Sequence, residues 1–118
     1  MTKNKIDKFG EERERLNQLV KKYAGVNSQR FLNIDWQVYK EGALDAKTKE
    51  LMGLVSSLVL RCDDCIMYHL IRCREESVTD EELEETVAIG LIVGGSITIP
   101  HIRRIWDAWE NMKQNNDI

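Results

Sequence analysis

Residues 50–69 read ELMGLVSSLVLRCDDCIMYH, and this stretch decides the fold. Leu, Met and Val recur at helical spacing between Leu51 and Leu60, with one acid, Glu50, at the head of the run. Cys62-Asp63-Asp64-Cys65 follows at once, and His69 comes four residues after Cys65. From Asp63 to Glu76 the chain holds neither Pro nor Gly, so a further helix is expected to start at the cysteines. Residues four apart share a helix face, which sets His69 one turn beyond Cys65, within reach of its sulfur directly or through one water. The unpaired N–H groups and the positive dipole end of a helix start favour a thiolate. Asp63 and Asp64 oppose it with negative charge. The expected result is an activated thiol, less acidic than those of strongly oxidising dithiol enzymes.

Working outward, 118 residues predict one domain spanning 1–118, long enough for one continuous core. A single proline, seven glycines and 42% hydrophobic residues point to an all-α protein rather than a β-sandwich or a disordered chain. A net charge of -3 gives no electrostatic footprint for nucleic acid. The first fifteen residues lack the apolar core of a signal peptide. The longest apolar run, Val87 to Ile99, is too short to span a bilayer. A cytoplasmic protein without a membrane partner is therefore expected. In such a reducing compartment three cysteines are not a disulfide scaffold, and a Cys-x-x-Cys pair is redox-active or metal-binding.

Six helices are predicted. The first covers 5–24, with Ile6, Phe9, Leu16, Leu19, Val20 and Tyr23 at three- and four-residue steps, charges between them and Gly25 as the stop. The second runs from Ser28, as N-cap, to Glu41, with Trp36 and Tyr39 in the core or at a subunit interface. The third spans 46–60, capped by Asp45 or Thr48, with Leu51, Leu54, Val55, Leu58 and Val59 facing the core and Glu50 in its favoured first turns. The fourth carries Cys65, His69 and Cys73. Thr79 and Glu82 form a capping box for the fifth, about 80–93, which its apolar second half marks as the most buried. Gly90 and Gly94 allow close helix approach. Pro100 opens the sixth, about 100–114, with Ile102, Ile105, Trp106 and Trp109. The apolar surface of residues 87–99, Trp106 and Trp109 exceeds what one core of this size uses, which predicts an oligomer.

Three chemistries compete for the cysteines. Zinc meets a geometric obstacle: on one helix Cys62 and Cys73 lie roughly 16 Å apart along the axis, too far for bonds of about 2.0–2.3 Å to one ion. Cys62, Cys65 and His69 could just converge, and the fourth ligand would have to be Glu50, His101 or water. Two inert buried thiols with a core histidine are the plainest alternative, although Arg61, Asp63 and Asp64 make a polar setting for a core position. That plain reading suffices for Cys73, and a structural or surface role suffices for His101. The redox reading uses every part: a thiolate attacks, a second thiol resolves, and a base takes the proton. His69 is placed to serve Cys65, and Glu50 to orient His69 if the third and fourth helices pack together.

Glu50, eleven intervening residues, Cys62-x-x-Cys65, three more and His69 resemble the active-site signature of the alkylhydroperoxidase D-like (AhpD-like) proteins of the carboxymuconolactone decarboxylase superfamily. The flanks Lys49-Glu50-Leu51 and Thr79-Asp80-Glu81-Glu82-Leu83 agree, and the resemblance covers about residues 30–110. It implies an all-α, six-helix orthogonal bundle and an obligate homo-oligomer, a trimer or hexamer. The implied reaction is thiol-dependent reduction of a small-molecule peroxide, with electrons from a dithiol donor protein and with no cofactor or metal. Under the resemblance Cys65 attacks the peroxide, Cys62 resolves, and Glu50 with His69 forms the proton relay. The chain departs from the pattern at Asp64, where the characterised enzyme type has a histidine; an acid there raises the thiol pKa. Muconolactone decarboxylation, the superfamily's other namesake activity, leaves the cysteines unexplained and calls for a dicarboxylate site at Arg61, Arg72, Arg103 or Arg104.

Overall fold

Asp45, Cys62 and Thr79 each accept a hydrogen bond from the backbone N–H three residues on, and so start three helices. The computed structural model describes residues 4–116, with side chains to Lys113. The helices are α1 (Lys5–Tyr23), α2 (Val26–Val38), α3 (Ala46–Leu60), α4 (Asp63–Glu75), α5 (Asp80–Gly94) and α6 (Ile99–Asn116), with a 3₁₀ turn over Ser96–Thr98. No strand occurs among the described residues. The protein is all-α, as its sequence predicts.

The chain groups into two compact units, residues 1–40 and 41–118, where length alone predicts one domain. The first holds α1 and α2, and neither contains a buried residue. An Asn4–Asp7 capping box starts α1. Gly25, expected only as the stop of α1, is also the N-cap of α2, which begins at Val26 and not after Ser28. Trp36 is 61% exposed and is no core residue of this chain.

The second unit is built on α3. It packs against α4 and α5, and α4 packs on α6. The core comprises Leu54 and Leu58 from α3, Ile66, Leu70 and Cys73 from α4, Leu83 and Val87 from α5, and Ile105, Ala108, Trp109 and Met112 from α6. Each large apolar side chain taken fully from water contributes about 1.5–3 kcal/mol, which makes this cluster the main source of stability. Leu51, Val55 and Val59, assigned to the same face, are half-buried.

The close approach expected at Gly90 is present. A Cβ there would lie 2.5 Å from Leu58 Cδ2 and 3.3 Å from Val55 Cγ2, so α5 rests directly on α3. The α5 helix is not the most buried one, however. Only Leu83, Val87 and Gly90 are buried, on one stripe, while Ile92 on the far side is 84% exposed and Ile89 and Val93 also face outward. The Thr79–Glu82 capping box forms as read, and Gly95, at φ +84, closes the helix in a conformation that favours glycine. Asp80 at the start of α5 accepts from Trp109 Nε1–H at 2.8 Å and pairs with Lys113, fixing α6 to it. Helix α6 begins one residue before Pro100.

Candidate active site

The joint between α3 and α4 is two residues, Arg61 and Cys62. Arg61 adopts the left-handed conformation at φ +60. Its N–H bonds to Leu58 O at 3.0 Å, and the N–H of Cys62 bonds to Ser57 O at 3.1 Å. This pair of bonds is a Schellman motif. It ends α3 and delivers Cys62 at once as the N-cap of α4, so Asp63 and Asp64 occupy the first turn as read.

Cys62 Sγ accepts the backbone N–H of Cys65 at 3.3 Å. Cys62 is half-buried, Cys65 exposed and Cys73 buried, and all three are free thiols. The hydrogen bond to Cys62, with burial and the charges of Cys62 and Asp64, pushes the Cys65 thiol up to about 11. The expectation of a thiol activated by the helix start is therefore corrected at Cys65: its sulfur neighbour, its burial and Asp64 all push it up. Burial, aided by Glu50, pushes Cys73 up to about 12, in keeping with an inert core thiol.

Glu50 is only 2% exposed. It is the fifth residue of α3, beyond the first turn, so the helix dipole is not its partner. Its Oε1 lies 2.9 Å from His69 Nδ1 and its Oε2 lies 3.6 Å from Arg72 Nε. Facing a carboxylate, Nδ1 carries the proton and donates, which leaves Nε2 of a neutral ring as the acceptor. A buried acid would be costly alone; here it is shared by a histidine and an arginine. The packing of α3 on α4, the condition for Glu50 to orient His69, is thus met. Glu50 lies on α3, Cys65 and His69 on α4, and Cys62 at the joint between these two helices.

Sequence reasoning missed two neighbours. Arg72 holds Glu50, Glu75 and Glu76 together; its spacing of three and four from the last two was the available signal. His101 Nδ1 lies 2.7 Å from Asp63 Oδ1, and an Arg104 nitrogen lies 3.0 Å from Asp63 Oδ2. No sequence signal joins residues 38 apart on different helices. Arg72 and Arg104, considered as a dicarboxylate site, both have acid partners within the chain. Among the described residues no group of three or more His, Cys, Asp and Glu side chains is placed to hold a metal ion. An open depression lined by Asp80, Glu81, Glu84, Glu85 and Trp106 includes none of the four predicted site residues.

The sequence pattern of the carboxymuconolactone decarboxylase family matches residues 27–108. The chain belongs to this family. It is AhpD-like in fold and signature. A crystal structure from Thermotoga maritima shares 53% identity and a TM-score of 0.90, covering 92% of this chain and 96% of that one. Another from the same organism, also 53% identical, has a TM-score of 0.86, covers 94% and 97%, and is described as a carboxymuconolactone decarboxylase family protein "possibly involved in antioxidative response". A family protein from Legionella pneumophila, in an apo structure, is 25% identical with a TM-score of 0.83, covering 92% and 97%. An uncharacterised Cupriavidus necator protein is 34% identical over 56 residues, 48% of this chain and 50% of its own length. Uncharacterised protein 4 of the cox locus of Paracoccus denitrificans is 28% identical over 74 residues, 63% and 67% of the two lengths. The match spans half of the first of these curated relatives. No described helix is long and apolar enough to cross a membrane.

Proposed function

We propose that this family member reduces peroxides through Cys62 and Cys65. The observation that carries the reading is the buried Glu50–His69 pair at 2.9 Å, on the two helices whose joint bears the cysteines. A thiol pushed up to about 11 is almost wholly protonated at neutral pH, so its attack needs a base that removes the proton as the bond forms. His69, one turn beyond Cys65 with its tautomer set by Glu50, supplies one.

The steps balance as follows. The sulfur of Cys65, exposed and open to substrate, attacks the peroxide's terminal oxygen. The O–O bond breaks, an alcohol or water leaves with the proton, and Cys65 becomes a sulfenic acid. Cys62 then attacks that sulfur, water leaves, and the disulfide forms. A dithiol donor protein returns two electrons and two protons. The antioxidative description of a Thermotoga maritima relative supports this assignment. The exposed apolar residues Ile89, Ile92, Val93 and Ile97 support a homo-oligomer of the trimer or hexamer kind, and the free thiols suit a reducing cytoplasm. Decarboxylation has no comparable support, since Arg72 and Arg104 are engaged by acids.

The test is peroxide treatment of the reduced protein with dimedone trapping and peptide mass spectrometry. Sulfenic acid on Cys65 that accumulates in Cys62→Ser, and a Cys62–Cys65 disulfide in the unsubstituted protein, are expected. Thiols that stay reduced under peroxide refute the activity. Sulfenic acid on Cys62 in Cys65→Ser at the full rate reverses the roles.

A further inference from the structure

The two acids between the cysteines are treated differently by the fold. Asp63 is bound from α6 by His101 at 2.7 Å and Arg104 at 3.0 Å. Because the short contact faces a carboxylate, His101 Nδ1–H donates to Asp63. The Arg104 nitrogen 3.2 Å from that same Nδ1 then takes its own acceptor in the other carboxylate oxygen. Burial tends to raise Asp63, but the hydrogen bonds and charges of His101 and Arg104 together hold it below the usual carboxylate range. Asp64 is exposed, and its charge opposes ionisation of Cys65. One acid of the motif is neutralised by α6 while the other acts on the thiol.

We propose that His101 and Arg104 are positioning residues for the Cys62–Cys65 pair: by binding Asp63 they withdraw its charge from the two sulfurs and set their readiness to ionise. The inference rests on the redox reading of the pair for its significance, but its observable is the acidity of the thiols and needs no peroxide. Along the chain the other charges at the motif are Arg61, just before Cys62, and Asp64, and the same two helices carry Glu50, His69 and Arg72. None of these belongs to α6, so substitutions on α6 leave them in place. His101 is largely buried while Arg104 and Asp63 are half-exposed, so water screens part of the effect.

The experiment is alkylation of the fully reduced protein by iodoacetamide from pH 6 to pH 10, with each cysteine quantified by peptide mass spectrometry. Arg104→Gln, His101→Gln and the double variant are compared in two backgrounds, native Asp63 and Asp63→Asn. With Asp63 present, the double variant is expected to shift the profiles of Cys62 and Cys65 upward by about half a unit to one unit, slowing alkylation about three- to tenfold at a fixed pH below the midpoint. In the Asp63→Asn background the same substitutions are expected to shift the profiles less, because only the direct charge of Arg104 is lost and no freed carboxylate remains beside the sulfurs. Arg104→Lys, which keeps the charge, should restore most of the native profile. An unshifted profile overturns the proposal, and so does an equal shift in both backgrounds, which would report the direct charge of Arg104 or disturbed packing rather than the hold on Asp63. Arg104→Gln alone, at a half-exposed position, keeps the test valid if the double variant folds poorly. Failure of the peroxide reading shows as thiols that alkylate normally but consume no peroxide, an outcome distinct from either of these.

Discussion

Replacing Glu50 by Gln separates the proton relay from the packing it is embedded in. Gln has nearly the same volume and still offers an oxygen to His69 Nδ1 at the 2.9 Å contact. What it removes is charge. A hydrogen bond to a charged group contributes about 1.5–3 kcal/mol and a neutral one about 0.5–1.5, so the exchange costs about 1 kcal/mol at His69. Arg72 loses a partner at 3.6 Å but keeps Glu75 and Glu76, and it is partly exposed, so its share is a few tenths of a kcal/mol at most. A domain stable by about 5–15 kcal/mol remains more than 99% folded after such a loss. The chemistry is hit harder. The imidazolium formed as His69 takes the Cys65 proton loses its counter-charge, and the amide no longer selects the Nδ1–H tautomer. General base catalysis contributes about 10²–10⁴-fold, so single-turnover oxidation should slow by at least about tenfold and require higher pH. Urea unfolding and stopped-flow peroxide oxidation on the same preparation give both numbers. Oxidation at the unsubstituted rate across pH would refute the relay. A stability loss above about 3 kcal/mol with proportionate inactivation would make Glu50 a structural residue, since only an unmet buried partner costs that much.

Asp64→Asn removes a charge that holds Cys65 up, and its alkylation profile is expected to move below the value of about 11 with faster peroxide oxidation at neutral pH; an unmoved profile would show that Cys62 alone sets it. Gly90→Ala gains about 1 kcal/mol of helix propensity but sets a Cβ 2.5 Å from Leu58 Cδ2. Overpacking costs about 1–3 kcal/mol, so calorimetry should show a net loss of up to about 2 kcal/mol; a raised Tm would mean that α5 moves off α3 freely. Arg61→Gly relieves a left-handed residue at φ +60 and should stabilise by up to about 1 kcal/mol in urea unfolding, with peroxide turnover kept.

The helices of the second unit were legible because their signals are local. Asp45 before Ala46, Thr79 with Glu82, and the unbroken run after Asp63 each name a boundary through backbone chemistry alone. The Glu50–His69 contact was legible as a possibility, since spacing puts the acid and the histidine on consecutive helices. That it forms, and that Glu50 is buried, depends on how α3 lies on α4. Three matters were not legible. The fifth helix read as the most buried because apolar character does not say which flank of a helix meets its neighbour; Ile89, Ile92 and Val93 are exposed. The raised Cys65 pKa depends first on its contact with Cys62, which spacing alone does not show. The hold of His101 on Asp63 is tertiary, and nothing near either residue announces it.

The two-residue joint at Arg61 and Cys62 also governs which changes in length the chain tolerates. Each helical residue turns the chain by about 100°, so inserting or deleting one residue in α3 between Glu50 and Arg61 would swing the acid to another side of its helix. The Schellman bonds that end α3 at Ser57 and Leu58 leave no slack in which to absorb the error. The interval of eleven residues between Glu50 and Cys62 thus acts as a ruler rather than a spacer. Loops elsewhere, such as the stretch from Tyr39 to Asp45, are free to lengthen, but along this one helix the distance from acid to sulfur is counted in whole residues.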